Sequence, residues 1–410
     1  MSTTFRLPAL TAVLLATALP AQSQPAPSLP DGPGKELVVS LCSGCHGLSR
    51  VMSSGYPQAH WYTTIRMMQN FGVPVPDDKV NLIVDYLAKS LPERAKPAAN
   101  IIPGPVQVVI REWEVPIPGS RPHDPLATRD GAIWYTGQMT NRLGRVDPKT
   151  NAIREYPLKT PQTGPHGLVE DKDGNIWFTG NNAAIVGKLD PKTGAVTEYK
   201  MPDPKAMDPH SLAFDQSGIL WFTLQQSNMI GRLDPQSGEV KLVTAPTPRA
   251  RPYGIMVNSK GIPFVVMFGT NKVARVDPKS MEIKEYVLPN EGARPRRMAF
   301  TSDDVVWYAD YARGALGRLD PATGEVKEWQ SPGGARSEPY GMVNVKDVIW
   351  YSESGTRPNT IVRFDPKTEK FQTFAIPSGG FIVRKMDATP DGNPVIVTST
   401  VNTVGLVEVK

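Results

Sequence analysis

Six Asp-Pro dipeptides recur at a near-constant interval through most of this chain. Their aspartates are Asp147, Asp190, Asp234, Asp277, Asp320 and Asp365, 43 to 45 residues apart. A unit of that length cannot bury a hydrophobic face alone, so its copies must pack on one another. Within GPHGLVEDKDGNIWFTGNNAAIVGKLDPKTGAVTEYKMP the pattern is four short strands. The first follows the Pro-His, an Asp-Gly turn leads to IWFT, VGKLD is the third and AVTEY the fourth. Short alternating strands punctuated by turn residues at this period are propeller blades. The C-terminal segment VRKMDATPDGNPVIVTSTVNTVGLVEVK is a seventh unit that stops after its third strand. The missing strand stands at the other end, where Arg111, Glu112 and Trp113 match Lys327, Glu328 and Trp329. The expected fold is a seven-bladed all-β propeller over residues 107–410, closed by pairing its N- and C-terminal strands, which leaves no exposed sheet edge.

A small all-α unit is expected ahead of it. Both cysteines of the 410-residue chain lie in LCSGCHGL, with a histidine directly after the second. A structural zinc site needs four ligands, and no second cysteine cluster exists to supply them. A thiol redox pair has no use for His46. Cys42, Ser43, Gly44, Cys45 and His46 fit the CxxCH haem anchor, with Cys42 and Cys45 forming the thioethers and His46 the proximal iron ligand. GKELVVSLCSGCHGL reads as the helix that delivers the motif. PDDKVNLIVDYLAKSLPE reads as a later amphipathic helix, with Val80, Ile83, Val84 and Leu87 on one face.

The chain opens with Arg6, the apolar run LPALTAVLLATALP and then AQSQ, the order of a secretory signal peptide over residues 1–21. That run is short for a membrane span, and no later segment is apolar for longer. An exported, periplasmic location is expected, with one covalent haem c and no membrane span. The formal charge of +5 is modest and its basic residues are scattered among acids, which disfavours nucleic acid as a partner. Residues 92–106, PERAKPAANIIPGPV, read as a proline-stiffened linker between a haem unit over 22–91 and the propeller.

Two resemblances follow from these words. HWYTTIRMMQNFG places Trp61, Ile65, Met68 and Gly72 on one helical face, and is similar to the short cytochrome c domains attached to periplasmic dehydrogenases. There a helix of pattern WxxxVxxM followed by glycine carries the sixth iron ligand. The resemblance implies Met68 in that role, with Met67, Met52 and His60 as rivals. The repeat words PHG, IWFT, NxIGRLDP and TGxVxEYxxP resemble the streptogramin, or virginiamycin B, lyase family over about residues 107–410.

Aligned on the tryptophan of IWFT, the heads of the innermost strands are His123, His166, His210, Tyr253, Arg296, Tyr340 and Arg384. That strand lines a propeller's channel, so three imidazoles should converge on one side of its mouth. The residues closing each second strand are Gly137, Gly180, Leu224, Met267, Asp310, Glu353 and Thr398, so carboxylates occur only on blades 5 and 6, roughly opposite the histidines. Three readings of the histidines stay open: a duplicated turn residue, a polar pocket with acid, base or binding roles, and a second metal at the mouth. The lyase resemblance implies a histidine base for an elimination that opens a cyclic ester, with two glutamates of the same blade and magnesium assisting. Glu338 and Glu353 stand in the glutamate places, yet Tyr340 holds the histidine's. His210 has Asp208 before it but Leu224 in the later slot, and no blade carries the full set.

A fused one-electron carrier has no part in an ester elimination. The leading expectation is therefore a periplasmic haem c protein carrying out electron transfer, its propeller an oxidoreductase or a docking domain for substrate or partner. A periplasmic redox protein or dehydrogenase and a small-molecule substrate are the expected partners. The alternatives are a virginiamycin B lyase-like carbon–oxygen lyase with an accessory cytochrome, and a non-catalytic propeller that docks a dehydrogenase. For the first and second, His123, His166, His210, Tyr340, Glu353 and Asp310 are the candidate catalytic residues.

Overall fold

The computed structural model describes residues 28–44 and 46–410. The expected signal peptide and Cys45 lie outside the described residues. Among the described residues, no helix is long and apolar enough to cross a membrane.

Four helices come first: α1 (Lys35–Cys42), α2 (Leu48–Met52), α3 (Gln58–Asn70) and α4 (Val80–Ser90). Val38, Val51, Trp61, Ile65, Ile83, Val84 and Leu87 form their shared core. The helical spacing of Val80, Ile83, Val84 and Leu87 thus becomes one buried face. The Trp61 indole donates to the Leu91 carbonyl at 3.1 Å, tying α3 to the end of α4. α1 begins after Gly34, whose φ of 103° and closeness to the Tyr86 side chain leave no room for a Cβ.

Seven four-stranded antiparallel sheets follow, six of them built from consecutive strands. Blade 2, for example, comprises Pro165–Glu170, Ile176–Gly180, Ile185–Leu189 and Val196–Lys200. Its second strand is buried throughout, while its outermost strand alternates between half-buried and exposed. The repeat words have physical causes. The ring of Phe178 in IWFT lies on Gly187 of the third strand, where a Cβ would meet it at 2.1 Å. The tryptophan of the same word stacks on the fourth-strand aromatic, as Trp177 does on Tyr199 at 5.4 Å. Each periodic aspartate turns the chain by accepting the backbone N–H two residues on, at 2.8 Å for Asp190 and 2.9 Å for Asp147.

Val108–Glu114 pairs antiparallel with Thr403–Val409 and completes blade 7, so the ring closes with one strand from the N-terminal side and three from the C-terminal end. Residues 92–106 do not hang free between the two parts. Thr373 of blade 6 donates its N–H to the Ile102 carbonyl at 3.0 Å and its hydroxyl to Asn100 at 2.6 Å. Arg357 donates its backbone N–H to the Pro97 carbonyl at 2.9 Å, and Gln372 grips Val106. The strap itself depends on the outer edge of blade 6 offering these groups.

The helical unit rests on the propeller. The Asn70 amide donates to the Pro118 carbonyl at 3.0 Å, and Arg357 pairs with Glu93 at 2.7 Å. Gly119, at φ 72°, sits so close that a Cβ there would come 2.6 Å from the Arg66 backbone. His60 stacks on Tyr56 at 3.8 Å and meets Phe381, of the loop before blade 7, edge-on at 4.9 Å.

Candidate functional site

The channel mouth is set by a repeated irregularity. In blades 1 to 6 the innermost strand shifts register just after its leading proline, as between Pro165 and Leu168 or Pro209 and Leu212. Such a bulge re-aims the side chains beside it. The residue before the proline is left-handed in several blades, including Arg121 at φ 53°, Asp208 at 66° and Glu338 at 51°. The backbone freed by the bulge is claimed by the last residue of IWFT. Thr179 accepts the Gly167 N–H at 2.8 Å and donates to the His210 carbonyl of the next blade at 2.7 Å. Thr136 links blade 1 to His166, and Thr223 links blade 3 to Tyr253, in the same way.

These pins bring the first ring together. The imidazoles of His123, His166 and His210 follow one another with centroids 3.9 Å apart at each step, and Tyr253 continues the row at 4.0 Å. Tyr253 and Tyr340 share a hydrogen bond between their hydroxyls. Arg296 lies in an aromatic box, its Cζ 3.8 Å from the Tyr340 ring, 4.3 Å from Tyr311 and 4.5 Å from Phe268. Burial holds all three imidazoles well below their ordinary pKa, and nearby guanidinium groups deepen the effect, so they are neutral. Burial also acts to raise the Tyr340 phenol, but Arg296, Arg384 and Arg297 outweigh it and bring the group below its ordinary value. Tyr253, with burial as its largest influence, rises to about 12.

A second ring lies one residue further in, and sequence reasoning missed it. Arg297 reaches across the channel, donating to Ser211 of blade 3 at 2.7 Å and to Asp124 of blade 1 at 3.2 Å. Asp124 also accepts from the His123 Nδ1–H at 2.9 Å and faces the Lys385 ammonium at 3.9 Å. Its signal was present: the positions after the ring residues read Asp124, Gly167, Ser211, Gly254, Arg297, Gly341 and Lys385, with charge where three blades have glycine.

The two candidate carboxylates do not join the histidines. Glu353 is fully buried within blade 6, accepting from the Ser331 hydroxyl, the Gly333 N–H and the Thr360 hydroxyl, each at 2.6 Å. Asp310 accepts from the Arg294 N–H at 2.9 Å and from Arg313 at 3.1 Å. Both acids, on blades 5 and 6, are bonded to loops and strands of their own blades and not to the imidazoles. His123, Asp124 and His166 do offer ligand atoms within 4.8 Å of one another. Arg297 and Lys385 already neutralise Asp124 there, so the local charge opposes a second cation.

The helical unit packs at the rim of this mouth on the side of blades 6, 7 and 1. Burial, with Arg384 next to it, lowers the Arg121 guanidinium to about 9, and Arg50 of α2 adds to the repulsion. Burial, then Arg357, Lys96 and Arg384, push His60 down to about 3. Thus the helix just after the CSGCH motif and the arginine of blade 7 bear on the same place. The donor set of that unit fits a covalent haem. Among the described residues Cys42 is a half-buried free thiol, and the His46 ring has one hydrogen bond, a long 3.4 Å approach to its neighbour Gly47. Met52, Met67 and Met68 are half-buried, and Met52 already packs against the helical core.

A seven-bladed propeller with a histidine, tyrosine and arginine mouth and a helical unit at its rim defines the class. The virginiamycin B lyase family profile matches residues 105–353, and the chain belongs to that family. A streptogramin B lyase structure is 24% identical, with a TM-score of 0.68 over 74% of this chain and 98% of its own. Selenomethionine-substituted virginiamycin B lyase from Staphylococcus aureus is 22% identical, with a TM-score of 0.67 over 73% of this chain and 99% of its own. Hydrazine synthase of Kuenenia stuttgartiensis is 15% identical, with a TM-score of 0.59 over 71% of this chain and 95% of its own. These likenesses show the fold. A search of curated proteins found no match.

Proposed function

We propose that this chain is an exported member of the virginiamycin B lyase family that has exchanged ester elimination for electron transfer, with the channel mouth as the site for substrate or partner. The observation that carries this reading is the packing of the helical unit that contains Cys42 and His46 at the rim of the mouth lined by His123, His166, His210 and Tyr340. Cys42, Cys45 and His46 would hold a haem c, with Met68 as the sixth ligand. Such a haem supplies one-electron exchange at an iron closed to other ligands. The propeller's own residues bind and orient: neutral imidazoles and phenols line the mouth, arginines set its charge, and the helical unit packs at its rim. The elimination set is incomplete. Tyr340 stands in the base position, and Glu353 is bonded into its blade.

Family membership favours a second reading, carbon–oxygen lyase activity. Tyr340, with its phenol lowered by three arginines, is the group that would take the proton.

The test uses the full chain produced with haem maturation. Covalent haem, one iron per chain, and loss of the low-spin spectrum on Met68→Ala are expected. Reduction of the haem by a small molecule with no second enzyme supports electron transfer from the mouth. Reduction only with an added dehydrogenase makes the propeller a docking module, and opening of a cyclic ester at an unchanged haem spectrum makes the protein a lyase.

A further inference from the structure

Three guanidinium groups stand at the mouth with no carboxylate paired to any of them, Glu338 at the head of blade 6 lying beside Tyr311 instead. Arg296 and Arg384 head the innermost segments of blades 5 and 7, and Arg121 precedes that of blade 1. None of the three has an ion-pair partner among the described residues, although other buried or half-buried arginines do, as Arg297 with Asp124 and Arg313 with Asp310. The Arg296 Nε is buried with no hydrogen-bond partner at all, and Arg384 has only the Ser399 hydroxyl, at 3.1 Å. All three are half-buried, and like charges gathered where water is scarce repel unless an anion lies among them.

The surroundings define that anion. Below, the channel is closed by Arg297 bridging Asp124 and Ser211. To one side, Tyr340 is fully buried, while Phe268 and Tyr311, in edge contact at 6.0 Å, are half-buried and continue outward from Arg296. A guanidinium fork suits a planar carboxylate, and aromatic walls suit an apolar body better than a bare inorganic ion. We infer that the mouth binds a small aromatic carboxylate, its charge shared by Arg121, Arg296 and Arg384 and its ring against Phe268 and Tyr311. The inference rests on the proposed function for the location of the site and is independent of whether electrons move there.

Benzoate is the probe, benzyl alcohol its uncharged twin, and titration calorimetry of the haem-matured full chain the measurement. One benzoate per chain is expected, with benzyl alcohol and the Arg384→Met variant each weaker by about tenfold or more. Because Arg384→Met removes an unpaired, half-buried charge, its Tm without ligand should match or exceed that of the parent, and benzoate should raise only the parent's Tm. Arg121→Met, outside the strands, gives the same comparison if Arg384→Met fails to fold. Equal binding of benzoate and benzyl alcohol, no binding of benzoate at millimolar concentration, or undiminished binding by both variants would overturn the site. Benzoate bound as expected in a protein whose haem exchanges no electrons would leave this site standing and remove the electron-transfer reading instead.

Discussion

Single hydroxyl groups decide where the histidines point. Thr179 joins the bulge of its own blade to the backbone of the next, and it is fully buried, so neither bond has water as a substitute. Thr179→Val should destabilise the fold by about 1–3 kcal/mol, and Thr179→Ser should restore most of it, as read by urea denaturation. At the opposite side of the mouth, Arg296, Arg384 and Arg297 bring the Tyr340 phenol below its ordinary value. Ultraviolet titration should show one phenolate forming ahead of the others, absent in Tyr340→Phe and displaced upward in Arg296→Met. The ring positions could be read in the sequence because a proline and a tryptophan fix the register of every blade. The fate of Glu353 could not, because its partners Ser331, Gly333 and Thr360 come from a loop and another strand.

Among the elements, the blades were legible and the contacts between parts were not. Period, turn aspartates and the glycine under the IWFT-type aromatic of blades 1, 2, 3 and 5 are local words that specify a local unit, and the strand missing from blade 7 could be found by matching Trp113 to its counterparts. The strap of residues 92–106 has no such word: it is held by Thr373, Gln372 and Arg357, more than 250 residues away in sequence. Arg357 carries an unusual share, pairing with Glu93, placing its Cζ 3.8 Å from the Phe381 ring and donating its N–H to Pro97. Arg357→Ala should loosen the helical unit from the propeller without unfolding either. Limited proteolysis is expected to cut the variant within residues 92–106 well before the parent chain, with circular dichroism unchanged.

The whole molecule should weaken on mild acidification. Four imidazoles are buried and neutral: His60, with a pKa of about 3, and His123, His166 and His210, each well below the 6.5 of an exposed histidine. The unfolded chain therefore binds more protons than the native one once pH falls below about 6.5, and stability declines with each unit from there. Above that value the contribution is complete. The urea midpoint should be level near pH 8 and fall steadily toward about pH 5, with a shallower fall for His60→Phe. A flat profile would mean that these imidazoles are solvated.

On the proposed reading the helical unit beside the family propeller would hold a haem, and electron exchange between mouth and haem is that reading's central consequence. It is tested most directly by following the haem absorbance of the full, haem-matured chain during anaerobic mixing with a panel of small organic carboxylates. Growth of the reduced band with no second enzyme present, slowed at least about tenfold by Arg384→Met, is expected. A haem that stays oxidised while the same protein opens a cyclic ester, in a reaction lost on Tyr340→Phe, would contradict it.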